Sequence, residues 1–188
     1  MTIKTDYSRF DIHDELTAPD RSAPILKGIQ IAGAEISKFI GVLAGAPAAL
    51  RAYTRMRHEL REGALPRPTR ERIALAVAER RGDTYSVAHH ARTGRAAGLG
   101  LDEVSRARSF TSADPKEAAL LVFLQSLVDS EDRPSAHLGE EAREAGWTDE
   151  EILEAVAHLA LAEFQTLIAN AAALPQDQTD PSILPAAA

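Results

Sequence analysis

The sequence predicts an all-α fold of about eight helices, and three observations carry that reading. No stretch alternates apolar and polar residues over the length of a strand, and no two-residue hairpin signal separates apolar runs. Apolar residues return instead at spacings of three and four through most of the chain. Helix start and stop signals punctuate these stretches: Gly63, Gly82, Gly98 and Gly146 follow them, while Asp83, Asp114 and Thr148 precede them. An aromatic share of 5% within 45% hydrophobic residues suits close helix packing.

Residues 1–21 are polar, with Tyr7, Phe10 and Ile12 as anchors, and read as an arm lying over the domain or a neighbouring subunit. The helical domain spans 22–174. Ser22 and Pro24 open a helix whose apolar face (Ile25, Leu26, Ile29, Ile36, Phe39, Ile40, Leu43) continues past Gly28, Gly33 and Gly41. Pro47 starts the next, with Leu50, Tyr53, Met56 and Leu60 inward, ending at Gly63. From Thr69 the run Ile73 to Ala78 is apolar well beyond one stripe, which marks a buried helix. Gly82 tolerates a left-handed C-terminal cap and Asp83 is a good N-cap, so a second helix runs from Thr84 to about Ala97 and stops at Gly98.

Asp102 begins a short helix to about Phe110. Asp114, Pro115 and Glu117 combine an N-cap, a proline at the first helical position and an acid three residues on, ahead of a nearly all-round apolar helix. Pro134 to Ala145 forms a shorter acidic helix. Thr148 and Glu151 make a capping box for a long helix to about Ala173, which Pro175 stops. The tail 175–188, rich in Pro and Ala, reads as flexible or strapped onto a partner.

The chemistry concentrates in Thr69 to Gly100. Glu71 stands on the first helix of this pair; Asp83 and Ser86 open the second, and His90 follows Ser86 by four residues, on the same face. Only a fold-back brings Glu71 near His90. A carboxylate beside an imidazole fixes its tautomer and raises its basicity, which makes a proton relay; the competing reading is an ion pair that merely ties two helices together. Asp83 is first an N-cap and second an acid of the pocket. Ser86 reads as a small filler rather than a nucleophile, because no oxyanion hole accompanies it. Tyr85 lines the cleft or packs. His89 lies ~100° round the helix from His90, so the two do not share a metal, and neither metal nor cofactor is expected. His137, His158, Glu163 and Asn170 read as satisfied polar groups on apolar helices.

This stretch resembles the core of the alkylhydroperoxidase D (AhpD)/carboxymuconolactone decarboxylase superfamily. In the peroxidase branch the resemblance implies a helix with a glutamate, then C-x-x-C opening the next helix, then a histidine four residues on; the matching positions are Glu71, Asp83, Ser86 and His90. The order of elements agrees from Leu26 to Asp177, while motif matches lie between Glu71 and Gly98. The resemblance also implies a pseudo-repeated helical core, echoed by Thr69–Arg81 and Thr148–Ala160, and a homo-oligomer, a trimer or hexamer. In that branch a thiolate attacks the peroxide and a second thiol resolves the sulfenic acid. The 188 residues contain no cysteine, so thiol peroxidase and disulfide reductase chemistry are excluded.

The formal charge of −7 is uneven. Between Arg51 and Arg95 eleven arginines face five acids, a surplus of six, and the ends are acidic. The basic segment either attracts a small anionic ligand or is a solvated helix face. Without interleaved aromatics it does not read as a nucleic-acid surface. No apolar h-region or uninterrupted membrane-length run appears, so a cytoplasmic protein with no membrane association is expected. Two functions stay open: a non-redox acid/base enzyme of decarboxylase or lactone isomerase type on a small anionic substrate, with Arg70 or Arg72 as the cation, or a non-catalytic helical oligomer that binds a ligand or partner.

Overall fold

The computed structural model describes residues 8–129 and 135–176, and among these nine α-helices and no strand are present. They are α1 (Ala23–Ile31), α2 (Lys38–Ala44), α3 (Pro47–Arg61), α4 (Arg67–Arg80), α5 (Thr84–Ala96), α6 (Leu101–Ala107), α7 (Pro115–Asp129), α8 (Ala136–Glu144) and α9 (Asp149–Ala172). The chain forms two compact units, residues 8–59 with 167–176 and Leu60–Thr166. Tyr7, Pro134 and the tail beyond residue 176 lie outside the described residues.

In the first unit, the single helix expected from Ser22 to Leu43 is two. Gly33 adopts φ +75°, the Ala34 amide returns to the Ile29 carbonyl at 3.1 Å, and Ser37 then restarts the chain by accepting from the Ile40 amide. The apolar spacing survives the break, which is why it hid it. Phe39 meets Tyr53 edge to face at 5.0 Å. Met56 is exposed rather than inward, because six residues past Leu50 is about 600° of helix, leaving it ~120° off the buried face. Residues 8–21 are held by the Arg9 amide on the Ala172 carbonyl (2.7 Å) and the His13 amide on that of Gly41 (3.0 Å). A Cβ at Gly41 would fall 2.6 Å from Cγ2 of Ile12, so only glycine lets this segment cross α2. Phe10, expected to anchor it, is exposed.

The second unit is built round α4. Residues Arg72 to Ala78 are all buried, since short side chains let neighbours approach from every side. Ile73, Ala76 and Val77 join Leu120, Leu121 and Leu124 of α7, Ile152, Ala155 and Leu159 of α9, Phe110 and Trp147 in one core; Leu75 packs instead with Leu99, Val104 and Ala107. Each fully buried aliphatic side chain contributes about 1.5–3 kcal/mol. The Trp147 indole N–H donates to the Lys116 carbonyl at 2.7 Å, while the Lys116 ammonium sits 4.2 Å over the ring, pinning the α8–α9 loop to the start of α7. At the foot of α9 the expected capping box forms, with the Thr148 and Glu151 amides bonded to each other's side chains.

Candidate functional site

The site is made by the reversal between α4 and α5. Gly82 takes φ +63°, the Asp83 amide returns to the Ala78 carbonyl at 2.9 Å, and Oδ1 of Asp83 accepts the Ser86 amide at 3.0 Å. Gly94 leaves little room between the helices: a Cβ there would lie 3.2 Å from Cδ1 of Leu99 and 3.6 Å from Cβ of Glu71. With the helices this close, Nδ1 of His90 reaches Oε2 of Glu71 at 2.9 Å. The Thr93 hydroxyl donates to the same Oε2 at 2.6 Å. The carboxylate and the imidazole are only 15% and 14% exposed.

Burial by itself pushes the Glu71 carboxyl up. The bond and charge of His90, the Thr93 bond and the field of His89 outweigh it and hold the group below the usual glutamate value. An ionised carboxylate only accepts, so Nδ1 of His90 carries the proton. In the neutral ring Nε2 then carries the lone pair, the atom from which a proton acceptor works.

Asp83, Ser86, His90 and Thr93 recur at three, four and three residues along one face of α5. Asp83 and Ser86 are buried, Asp83 with Oδ2 lacking a hydrogen-bond partner. No hydrogen bond among the described residues joins Ser86 to His90, so nothing there activates the serine. Tyr85 is buried. The His89 ring stands edge-on to that of His90, 5.0 Å between centroids, despite the angular offset along the helix. Among the described residues no three His, Asp or Glu side chains converge as metal ligands.

The arginines expected to receive an anion are engaged within the fold. Arg72, buried, reaches Glu103 at 3.0 Å and Glu117 at 3.4 Å. Arg70 donates to the Leu60 and Arg61 carbonyls at the end of α3. His158 of α9 is a satisfied polar group, as its sequence setting suggested, with Nε2 3.2 Å from the Leu60 carbonyl. Burial pushes its imidazole down, and Glu71 is among the charges that act on it. Thr93 was missed, although its spacing of seven from Ser86 and three from His90 places it on the same face.

The site thus joins a largely buried carboxylate of one helix to an imidazole of the next, on an all-α scaffold whose sequence holds no thiol. Residues 47–126 match the carboxymuconolactone decarboxylase family. No curated protein sequence matches the chain. Among solved structures, it is similar to the AhpD core of a peroxidase-related protein from Ralstonia eutropha JMP134, with a TM-score of 0.78 and 22% identity over 93% of this chain and 94% of that one. A peroxidase-related protein from Silicibacter sp. TM1040 gives 0.78 and 19% over 95% and 96%. A cysteine-to-alanine variant of the debrominase Bmp8, in complex with 2,3,4-tribromopyrrole, gives 0.74 and 17% over 95% of each chain. At these identities the likeness establishes the fold.

Proposed function

We propose that this protein is a non-redox acid/base enzyme, of decarboxylase or lactone isomerase type, in which His90 moves a proton to or from a small anionic substrate. The observation that carries the reading is the 2.9 Å contact between Nδ1 of His90 and Oε2 of an ionised Glu71, which sets Nε2 as the working nitrogen. Glu71 holds the ring and stabilises the imidazolium formed when Nε2 takes a proton. The surplus of arginine between Arg51 and Arg95 supports an anionic substrate, although Arg72 is committed to Glu103 and Glu117. A small ring held by a debrominase of the same fold supports a substrate of that size.

The test is a thermal-shift screen of small carboxylates and lactones against wild type and His90→Gln, with turnover measured for each compound that binds. The reading expects a compound that raises the wild-type Tm, is consumed by wild type, and is left intact by a folded His90→Gln. Compounds that bind both proteins equally and are consumed by neither would sink it.

A second reading, a non-catalytic helical oligomer, is supported by Leu101 and Leu153, each about 70% exposed, which a partner would cover (69% and 70%). Sedimentation of wild type against Leu153→Glu tests whether that side chain holds copies of the chain together.

A further inference from the structure

The Thr93 hydroxyl has one proton and two strong claims on it. Inside a helix the default acceptor for a threonine is the carbonyl four residues back, and the His89 carbonyl is in place at 3.2 Å. The shorter contact is the one to Oε2 of Glu71, at 2.6 Å. A hydroxyl donating to a carboxylate makes a charge-assisted bond, stronger than one to a neutral carbonyl, and the distances follow that order. Thr93 therefore gives up the local helical bond for one that spans two helices.

That bond lands on the oxygen that His90 also uses. A carboxylate held by a single donor can turn about its last torsion, which is broad and roughly two-fold, and can exchange one oxygen for the other. Two donors from one face of α5, three residues apart, both meet Oε2; turning the carboxylate would break both bonds at once.

We propose that Thr93 is a positioning residue: by fixing Oε2 of Glu71 against Nδ1 of His90, its hydroxyl keeps the imidazole proton on Nδ1 and leaves Nε2 as the bare nitrogen. The groups that share this environment are His89 on α5 and His158 on α9, both of which act electrostatically with Glu71. The functional consequence rests on the acid/base reading above; the placement of the proton does not.

The experiment uses the full chain labelled with ¹⁵N-histidine, with long-range ¹H–¹⁵N spectra recorded at a pH where His90 is neutral, and with His90→Gln to assign its signals. Wild type and Thr93→Ser are expected to show Nδ1 protonated and Nε2 bare. Thr93→Val, close in shape but without the donor, is expected to move the ring toward a mixture in which Nε2 carries a share of the proton. Thr93→Ala provides the same deletion should the valine variant not fold, and circular dichroism with a Tm establishes folding for each. Folded Val and Ala variants with the wild-type tautomer would overturn the proposal, leaving Thr93 a helix-surface residue. Because no substrate enters the measurement, a tautomer that shifts in a protein that turns nothing over would retain this inference and remove the catalytic one.

Discussion

Nδ1 of His90 lies 2.9 Å from Oε2 of Glu71 although 19 residues separate them, because α5 folds straight back along α4. The pairing has a definite pH signature. The folded-state pKa of Glu71 is lowered from 4.5, so its stabilising contribution is present above the unfolded value and is lost as pH falls through the folded value. Glu71→Gln should cost roughly 1–2 kcal/mol at pH 7. The Tm gap between wild type and Glu71→Gln should then close as the pH is taken below about 4.5; a gap that stays constant from pH 7 to 3 contradicts the assignment.

Glu117 should behave in the opposite sense. Burial raises its carboxyl from 4.5, and the Thr69 hydroxyl at 2.7 Å with the charge of Arg72 only partly counters this. A raised pKa means that stability is fully present below the unfolded value and is lost as pH rises through the folded one. Glu117→Gln, which can still accept from Thr69, should therefore improve relative to wild type between pH 4 and pH 7. Paired thermal melts at the two pH values check the sign.

Arg72 is buried with its side chain 10% exposed and reaches across to α6 and α7 through Glu103 and Glu117. Removing it leaves two partly buried carboxylates without their cation. Arg72→Met should cost about 3 kcal/mol in urea unfolding. Arg72→Lys should recover only part of this, since a single ammonium cannot reproduce the guanidinium's forked reach to both acids. Equal stability of Arg72→Met and wild type would show the cluster to be energetically neutral.

Three helix starts of the second unit were legible because they are written in short-range chemistry. Gly82 with Asp83, Asp114 with Pro115, and Thr148 with Glu151 satisfy local backbone groups, and local chemistry can be read from neighbours in sequence. The break at Gly33 was not legible, since apolar spacing on both sides of a turn can stay in phase while the chain does not. The Glu71–His90 contact could be anticipated from a helix, a reversal and a matching motif. The fate of Arg72 could not: nothing near it in sequence announces that Glu103 and Glu117, 31 and 45 residues on, will enclose it. The same holds for Glu154, whose carboxylate accepts the amides of Ala64 and Leu65, 90 and 89 residues away.

Gly94 tests whether the site depends on helix approach rather than on the presence of its residues. A Cβ there would sit 3.2 Å from a flexible Leu99 methyl and at ordinary contact, 3.6 Å, from Cβ of Glu71. Gly94→Ala should thus be nearly neutral, the slight crowding offset by the roughly 1 kcal/mol that alanine gains over glycine inside a helix. Gly94→Leu adds a branched side chain that neither neighbour can absorb, so α5 must move off α4 at an overpacking cost of about 1–3 kcal/mol. Glu71, His90 and Thr93 all remain in that variant, yet the distance that joins them does not. The expected result is a folded protein in which the neutral His90 ring loses its Nδ1–H preference in ¹⁵N spectra, while Gly94→Ala keeps it. Should Gly94→Leu fold with the wild-type tautomer, the close approach of α4 and α5 at this glycine is not what brings carboxylate and imidazole together.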